Sequence, residues 1–427
     1  MSNPVLKITG GACLKGKVKV QGSKNATLPM MASALLLDKG QSLTLTRVPR
    51  LKDTELLVQL LSELGMQCSW EGDSVTFTAQ EYLNSEMPDH LVRRMRASSL
   101  VLGPLLARIG KAIMPLPGGC SIGARPVDLH LMGLAKMGAD IDQKEGAIHA
   151  TAQGLKGNRI YLDFPSVGAT ENLMMAASIA EGTTIIENAA REPEIINLGD
   201  ALRAMGAKVS GDGSSVITIE GQGKPLTSGT VAVIPDRIVA CTYLLAGVVT
   251  NGHLTVEEVI PQHFESLLAK LEEAGVDMTI GDNYVTVAPS LAQLKPLQVI
   301  TMPYPGFPTD VQPQMVAMMA LTQGVSTMKE TIFENRFMHM PELTRMGASI
   351  EIQGNTALIT GVPHLVGAHV QSTDLRAGAA LIMAGLAAQG TTYVHGLTHV
   401  LRGYENFDKE LRSLGATVEV VEMPEEM

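Results

Sequence analysis

Residues 193–206, PEIINLGDALRAMG, carry apolar side chains at Ile195, Leu198, Leu202 and Met205 and then stop at Gly206. That three-to-four spacing is one face of a helix, and a glycine directly after the last apolar residue suits the left-handed position at a helix end. The same signature of a hydrophobic residue followed by glycine recurs at Leu64-Gly65, Met137-Gly138, Ala274-Gly275, Met346-Gly347 and Leu414-Gly415. The six glycines are 73, 68, 69, 72 and 68 residues apart, too regular for chance Leu-Gly dipeptides. Each glycine precedes alternating or β-branched sequence such as 277–287 or 348–359, which predicts strand, turn, strand.

Upstream of each amphipathic stretch lies a more uniformly apolar one: LPMMASALLL, LVLGPLLARI, ENLMMAASIA, VACTYLLAGV, PQMVAMMALT and AALIMAGLAA. A helix that is apolar all round is buried on all sides. A short strand follows each, as in GTTIIENA or GHLTVEEV. The chain is therefore predicted to be α/β, with six units of the order strand, buried helix, strand, amphipathic helix, strand, strand. Enclosure of six fully apolar helices favours two globular lobes of three units over an open solenoid.

The 427 residues, 45% hydrophobic and 18% charged, are ample for such cores and exclude a disordered chain. Thirty-three Lys and Arg against 43 Asp and Glu leave a formal charge of −10, and aromatics reach only 4%. Nucleic acid and anionic membrane are thereby disfavoured as partners. Apolar runs are too short to span a bilayer, and the first residues have no export-type apolar core, so a cytoplasmic location is expected. Cys13, Cys68, Cys120 and Cys241 show neither CxxC spacing nor paired histidines, so no metal and no disulfide are expected. No nucleotide-binding glycine motif, HExxH or GxSxG occurs, and no cofactor is expected. The isolated His339 and His399 are expected to be structural, or to support a site residue from behind, and not to be metal ligands.

A buried helix presents unpaired amides and partial positive charge at its start. Polar and ionic residues gather at these six starts: Ser23, Lys24 and Asn25; Arg93, Arg94 and Arg96; 166–170; Asp236 and Arg237; Thr309 and Asp310; Asp374 and Arg376. Asp310 is open to two readings, helix cap or base. The segment PGGCSIGARPVD, 117–128, puts a thiol between glycines and ahead of Arg125, with Asp128 as the expected helix cap. A thiol beside a cation is activated for proton transfer or attack. Cys13, Cys68 and Cys241 are instead expected to be small buried side chains.

These residues resemble the UDP-N-acetylglucosamine 1-carboxyvinyltransferase family of enolpyruvyl transferases. QGSKNATLP, RMRAS, LPGGCSIGARPVDLH, SVGAT, EGTTIIENAAREPEI, FPTDVQ, ETIFENRFMH, DLRA and RGYE stand in the family's order along the chain. The resemblance implies a two-lobe inside-out α/β barrel with three βαβαββ repeats per lobe. Residues 1–21 and 234–427 would form one lobe and 22–233 the other. It implies transfer of the enolpyruvyl group of phosphoenolpyruvate to the 3-hydroxyl of UDP-N-acetylglucosamine, with release of phosphate, at the first committed step of peptidoglycan synthesis.

By the same resemblance Cys120 is the proton donor and the target of the epoxide fosfomycin, and Asp310 is the candidate base. Lys24, Arg125 and Arg402 match phosphoenolpyruvate and phosphate ligands, with Arg96 and Arg376 completing the cationic shell. Asn25, Asp310 and Ile332 match contacts to the amino sugar. Arg125, Pro126, Val127, Asp128 and Leu129 align with the uridine strip, and Ser166, Val167 and Gly168 with the turn facing the diphosphate. Phe164 stands where some relatives carry Lys, which removes one charged diphosphate contact. Two rivals remain: a transferase acting on shikimate 3-phosphate, which would match the repeats but not the GGCSIGARPVDLH loop, and a silent UDP-N-acetylglucosamine-binding relative.

Overall fold

All six glycines that close the amphipathic stretches have positive φ, from 84° at Gly275 to 106° at Gly65. A side chain with a Cβ is strained there, so each amphipathic helix ends where the sequence says it must. These helices are Lys52–Glu63, Asp128–Lys136, Pro193–Ala204, Glu265–Ala274, Met340–Arg345 and Phe407–Ser413. The computed structural model describes residues 2–116 and 127–424.

The apolar stretches form the buried helices Lys24–Ser33, Leu102–Ile109, Val167–Ser178, Arg237–Val249, Gln312–Met319 and Leu375–Ala387. Four begin on a side-chain cap. Ser23, Ser166, Asp236 and Asp374 each accept a hydrogen bond from backbone N–H groups of the first turn. Much of the polar sequence at helix starts is therefore used inside the fold. Asp128 is not a cap: it occupies the first helical position, and Val127 before it has no side chain that can accept. Leu102–Ile109 is less enclosed than its counterparts, because its last turn, with Arg108, is only half-buried.

Among the described residues the strands assemble into six sheets, five mixed ones of four strands and one of three strands whose pairs are antiparallel. In each four-stranded sheet one edge strand runs parallel to its neighbour and the other two pairs are antiparallel. Gly229–Ala232 pairs in parallel with Ser42–Thr46, and Lys15–Lys19 with His253–Glu257, so segments distant in sequence complete sheets. Ser2–Thr9 lies between Thr391–His395 and Thr417–Pro424, antiparallel to both.

The chain separates into two compact units, one holding 2–21 and 235–424, the other 22–116 and 127–234 among the described residues. Each contains three of the sheets and its own continuous apolar core. Ile234 stays with the second unit: its carbonyl accepts from Ser23 N at 2.8 Å and its amide donates to Asn197 Oδ1 at 3.0 Å. No helix among the described residues is long and apolar enough to cross a membrane.

Candidate active site

In the first unit the turn Thr309–Val311 leads into the helix Gln312–Met319 and brings Asp310 beside two guanidinium groups. Arg336 Nη2 donates to Asp310 Oδ1 at 3.0 Å and Arg376 Nη2 donates to Oδ2 at 3.2 Å. Both arginine side chains are almost wholly buried, at 2% and 3% exposure, whereas that of Asp310 keeps 27%. Asp310 is therefore not a helix cap; both carboxylate oxygens are engaged by charge. Burial pulls the Arg376 guanidinium down, but Asp310, Tyr404 and Asp236 more than offset this and hold it above its ordinary value.

Ile332 is placed by a neighbour that the sequence alone did not single out. Glu330 is buried at 4% exposure and accepts from Thr301 Oγ1 at 2.7 Å, Thr309 Oγ1 at 2.9 Å, Ile332 N at 2.8 Å and Phe333 N at 3.3 Å. One carboxylate thus clamps the backbone at Ile332 to the turn that carries Asp310. Arg402 lies on the short turn after Leu397–Val400, its amide bonded to His399 O at 3.3 Å. His339 is buried at 1% exposure, consistent with a structural residue, and burial first of all lowers its pKa to about 4.

In the second unit Lys24 opens its buried helix and pairs with Asp53 Oδ2 at 3.5 Å, the lysine side chain 13% and the aspartate 5% exposed. Asn25 beside it is half-buried. His130, directly after Val127, Asp128 and Leu129, packs against Gly168 at the start of the helix Val167–Ser178. A Cβ on Gly168 would lie 3.2 Å from His130 Cε1 and 3.3 Å from Nε2, a tight contact in which the imidazole would have to give way. Asn172, on the same helix as Gly168, donates from Nδ2 to His130 Nδ1 at 2.9 Å and to Ser99 O at 2.6 Å, while Oδ1 accepts from Gly103 N at 2.6 Å. His130 Nδ1 is therefore the lone-pair nitrogen and its proton sits on Nε2.

Burial, reinforced by the charge of Arg96, lowers His130 to about 4. Between about pH 6.5 and about 4 the unfolded chain binds a proton that the folded chain excludes, so stability rises with pH across that window and falls on acidification. The contribution is ~1.4 kcal/mol per pH unit at most. His130→Gln should flatten the loss of urea stability between about pH 6.5 and about pH 4.5; an unchanged slope would refute this role for the imidazole.

Cys120, Arg125 and Pro126 lie outside the described residues. Among the other cysteines, Cys241 is buried, Cys68 partly so, and Cys13 is exposed, contrary to the expectation of a buried side chain. The stretch around Cys13 precedes the strand Lys15–Lys19 and its thiol lies 3.6 Å from Asn251 O. Burial raises the Cys68 and Cys241 thiols, which keeps them protonated and unreactive. Among the described residues no group of three or more His, Cys, Asp or Glu could hold a metal ion.

Residues 8–411 match the EPSP synthase (3-phosphoshikimate 1-carboxyvinyltransferase) family. The chain is 52% identical over 415 residues to UDP-N-acetylglucosamine 1-carboxyvinyltransferase 2 of Carboxydothermus hydrogenoformans, covering 97% of this chain and 98% of that protein. It is 47% identical to UDP-N-acetylglucosamine 1-carboxyvinyltransferase of Synechocystis sp., over 98% of this chain and 96% of that one. The chain belongs to the UDP-N-acetylglucosamine 1-carboxyvinyltransferases, within the EPSP synthase family.

The fold agrees with that membership. The crystal structure of the enolpyruvyl transferase NikO from Streptomyces tendae superposes with a TM-score of 0.89 at 26% identity, over 99% of this chain and 100% of that one. EPSP synthase from Acinetobacter baumannii superposes at 0.75 with 20% identity over 99% of this chain and all of the other, a likeness of fold alone. Against the family's blocks, Arg336 and Glu330 both lie within ETIFENRFMH, and His130 ends LPGGCSIGARPVDLH. Membership of those blocks is the signal that could have marked them; Asn172 and Asp53 lie outside them.

Proposed function

We propose that this chain transfers the enolpyruvyl group of phosphoenolpyruvate to the 3-hydroxyl of UDP-N-acetylglucosamine and releases inorganic phosphate, in the cytoplasm, opening peptidoglycan synthesis. The observation that carries the reading is end-to-end identity of 46–52% to proteins bearing that activity in their names, over at least 95% of this chain. The six sheets are read as six βαβαββ repeats of an inside-out α/β barrel, three per lobe.

The chemistry is addition followed by elimination. Cys120 delivers a proton to the methylene carbon of phosphoenolpyruvate while the sugar oxygen bonds to the adjacent carbon and gives its proton to Asp310. The tetrahedral ketal then loses a proton from the new methyl group, expels phosphate and restores the double bond. Lys24, Arg125 and Arg402 hold phosphate and carboxylate charge, with Arg96 and Arg376 beside them. Asn25 and Ile332 contact the amino sugar; the strip 125–129 holds uridine, and Ser166, Val167 and Gly168 face the diphosphate. With Phe164 at 44% exposure in place of a cation, backbone amides at the start of Val167–Ser178 take the diphosphate charge.

Release of inorganic phosphate from phosphoenolpyruvate, measured with UDP-N-acetylglucosamine and separately with shikimate 3-phosphate, tests the reading. Turnover with the sugar nucleotide and none with shikimate 3-phosphate is expected; the reverse, or no turnover with either, rejects it. Fosfomycin should stop that turnover with one adduct on Cys120 by intact mass and peptide mapping. Exposed Cys13 is the internal control, and an adduct there instead would remove Cys120 from its role.

A further inference from the structure

Tyr404 is buried at 1% exposure, and its hydroxyl sits in a chain of side chains whose proton directions can be worked out. Thr242 Oγ1 donates its only proton to Ile238 O at 2.9 Å within the helix Arg237–Val249. At the 2.8 Å contact between Thr242 and Tyr404 the phenol must therefore be the donor. Its oxygen is left as an acceptor, and Arg376 Nη1 donates to it at 3.3 Å while Arg376 Nη2 reaches Asp310. Gln314 Nε2 supports the same corner, 3.1 Å from Thr242 Oγ1 and 3.5 Å from Tyr404 Oη. The guanidinium is thus held on two sides, by a carboxylate at one nitrogen and a phenol at the other.

The phenol is itself braced. Its ring stacks on Phe407 with centroids 4.7 Å apart. Gln21 grips the backbone on both flanks, donating from Nε2 to Gly403 O at 3.1 Å and accepting at Oε1 from Glu405 N at 2.8 Å. Arg402, two residues before Tyr404, departs from this same clamped turn.

We propose that Tyr404 is a positioning residue for the phosphoenolpyruvate end of the reaction: its hydroxyl orients Arg376 and its braced turn sets the place of Arg402. The inference rests on the function proposed above, since it needs phosphoenolpyruvate as the ligand of those arginines. Tyr404 itself touches no reacting atom. An arginine fork holds a carboxylate or phosphate only when its plane is fixed, and a phenol bonded at one terminal nitrogen fixes it.

The test is steady-state kinetics of Tyr404→Phe, which keeps the ring and its stacking and removes only the hydroxyl. The expected result is a rise of about tenfold in KM for phosphoenolpyruvate, with KM for UDP-N-acetylglucosamine within about twofold of the parent. A merely structural role would lower the active fraction and kcat with both KM values unchanged, and that outcome overturns the proposal. Thr242→Val, which takes away the acceptor of the phenol proton without touching Arg376, should shift the same KM in the same direction by a smaller factor. If Tyr404→Phe fails to fold, that second variant decides, and an unchanged KM for phosphoenolpyruvate rejects the idea. Parent activity separates the two levels: an inactive parent removes the proposed function and this inference together, whereas an active parent with an unaltered variant removes this inference alone.

Discussion

Asp310→Asn should lower turnover on the order of a hundredfold or more, with both KM values moving far less. Asn has the shape of Asp and none of its charge, so the substitution separates proton removal from packing. In the parent, one oxygen faces each of two buried guanidinium groups at 3.0 and 3.2 Å. That arrangement orients the carboxylate firmly, but it also opposes proton uptake, because a neutral Asp310 would withdraw counter-charge from two buried cations. A base in this setting works only if the anionic reactants supply replacement charge to the arginines as the proton arrives. Turnover near the parent value would show that Asp310 serves as the anchor of the arginine pair and takes no proton. A thermal melt belongs with the assay, since breaking a buried charged contact costs ~3–5 kcal/mol when a partner is lost outright.

Arg336→Met should be nearly as damaging to turnover, by one to two orders of magnitude as a rough scale for loss of one charged positioning group. Met keeps most of the buried volume and removes the donor to Asp310 Oδ1, with the Arg376 contact to Oδ2 left in place. The informative readout is the pH dependence of kcat. Removing a neighbouring positive charge makes a carboxylate easier to protonate, so the acidic limb should move to higher pH if Asp310 is the base. A drop in turnover with the limb unmoved would place Arg336 on substrate charge and not on Asp310. Retention of full activity would reject both roles.

How far such a site is legible before folding depends on the range of the contacts. Lys24, Asp310, Arg376 and Arg402 stand out because each is a charged residue at the start of, or just after, an apolar run, a pattern visible within ten residues. The partners that orient them are distant: Arg336 lies 26 residues from Asp310, Arg376 lies 66, and Thr242 lies 162 residues from Tyr404. Cys13 shows the converse error, since a small apolar-seeming residue between glycine-rich and basic sequence has no local mark that it will be exposed. Asp128 misleads in the same way by a single position, because helix boundaries depend on backbone dihedrals that neighbouring residues share.

Chain order alone determined the sixfold alternation of buried and amphipathic helices, because helix periodicity and a left-handed glycine are local constraints that six stretches satisfy independently. It also determined which family the blocks resemble. Only the tertiary structure decided that Asp310 is a shared counter-ion and not a cap, that one carboxylate at Glu330 clamps two loops, and that Tyr404 offers its oxygen to Arg376. Those are properties of side chains meeting across several helices, where packing, and no sequence spacing, sets the distance.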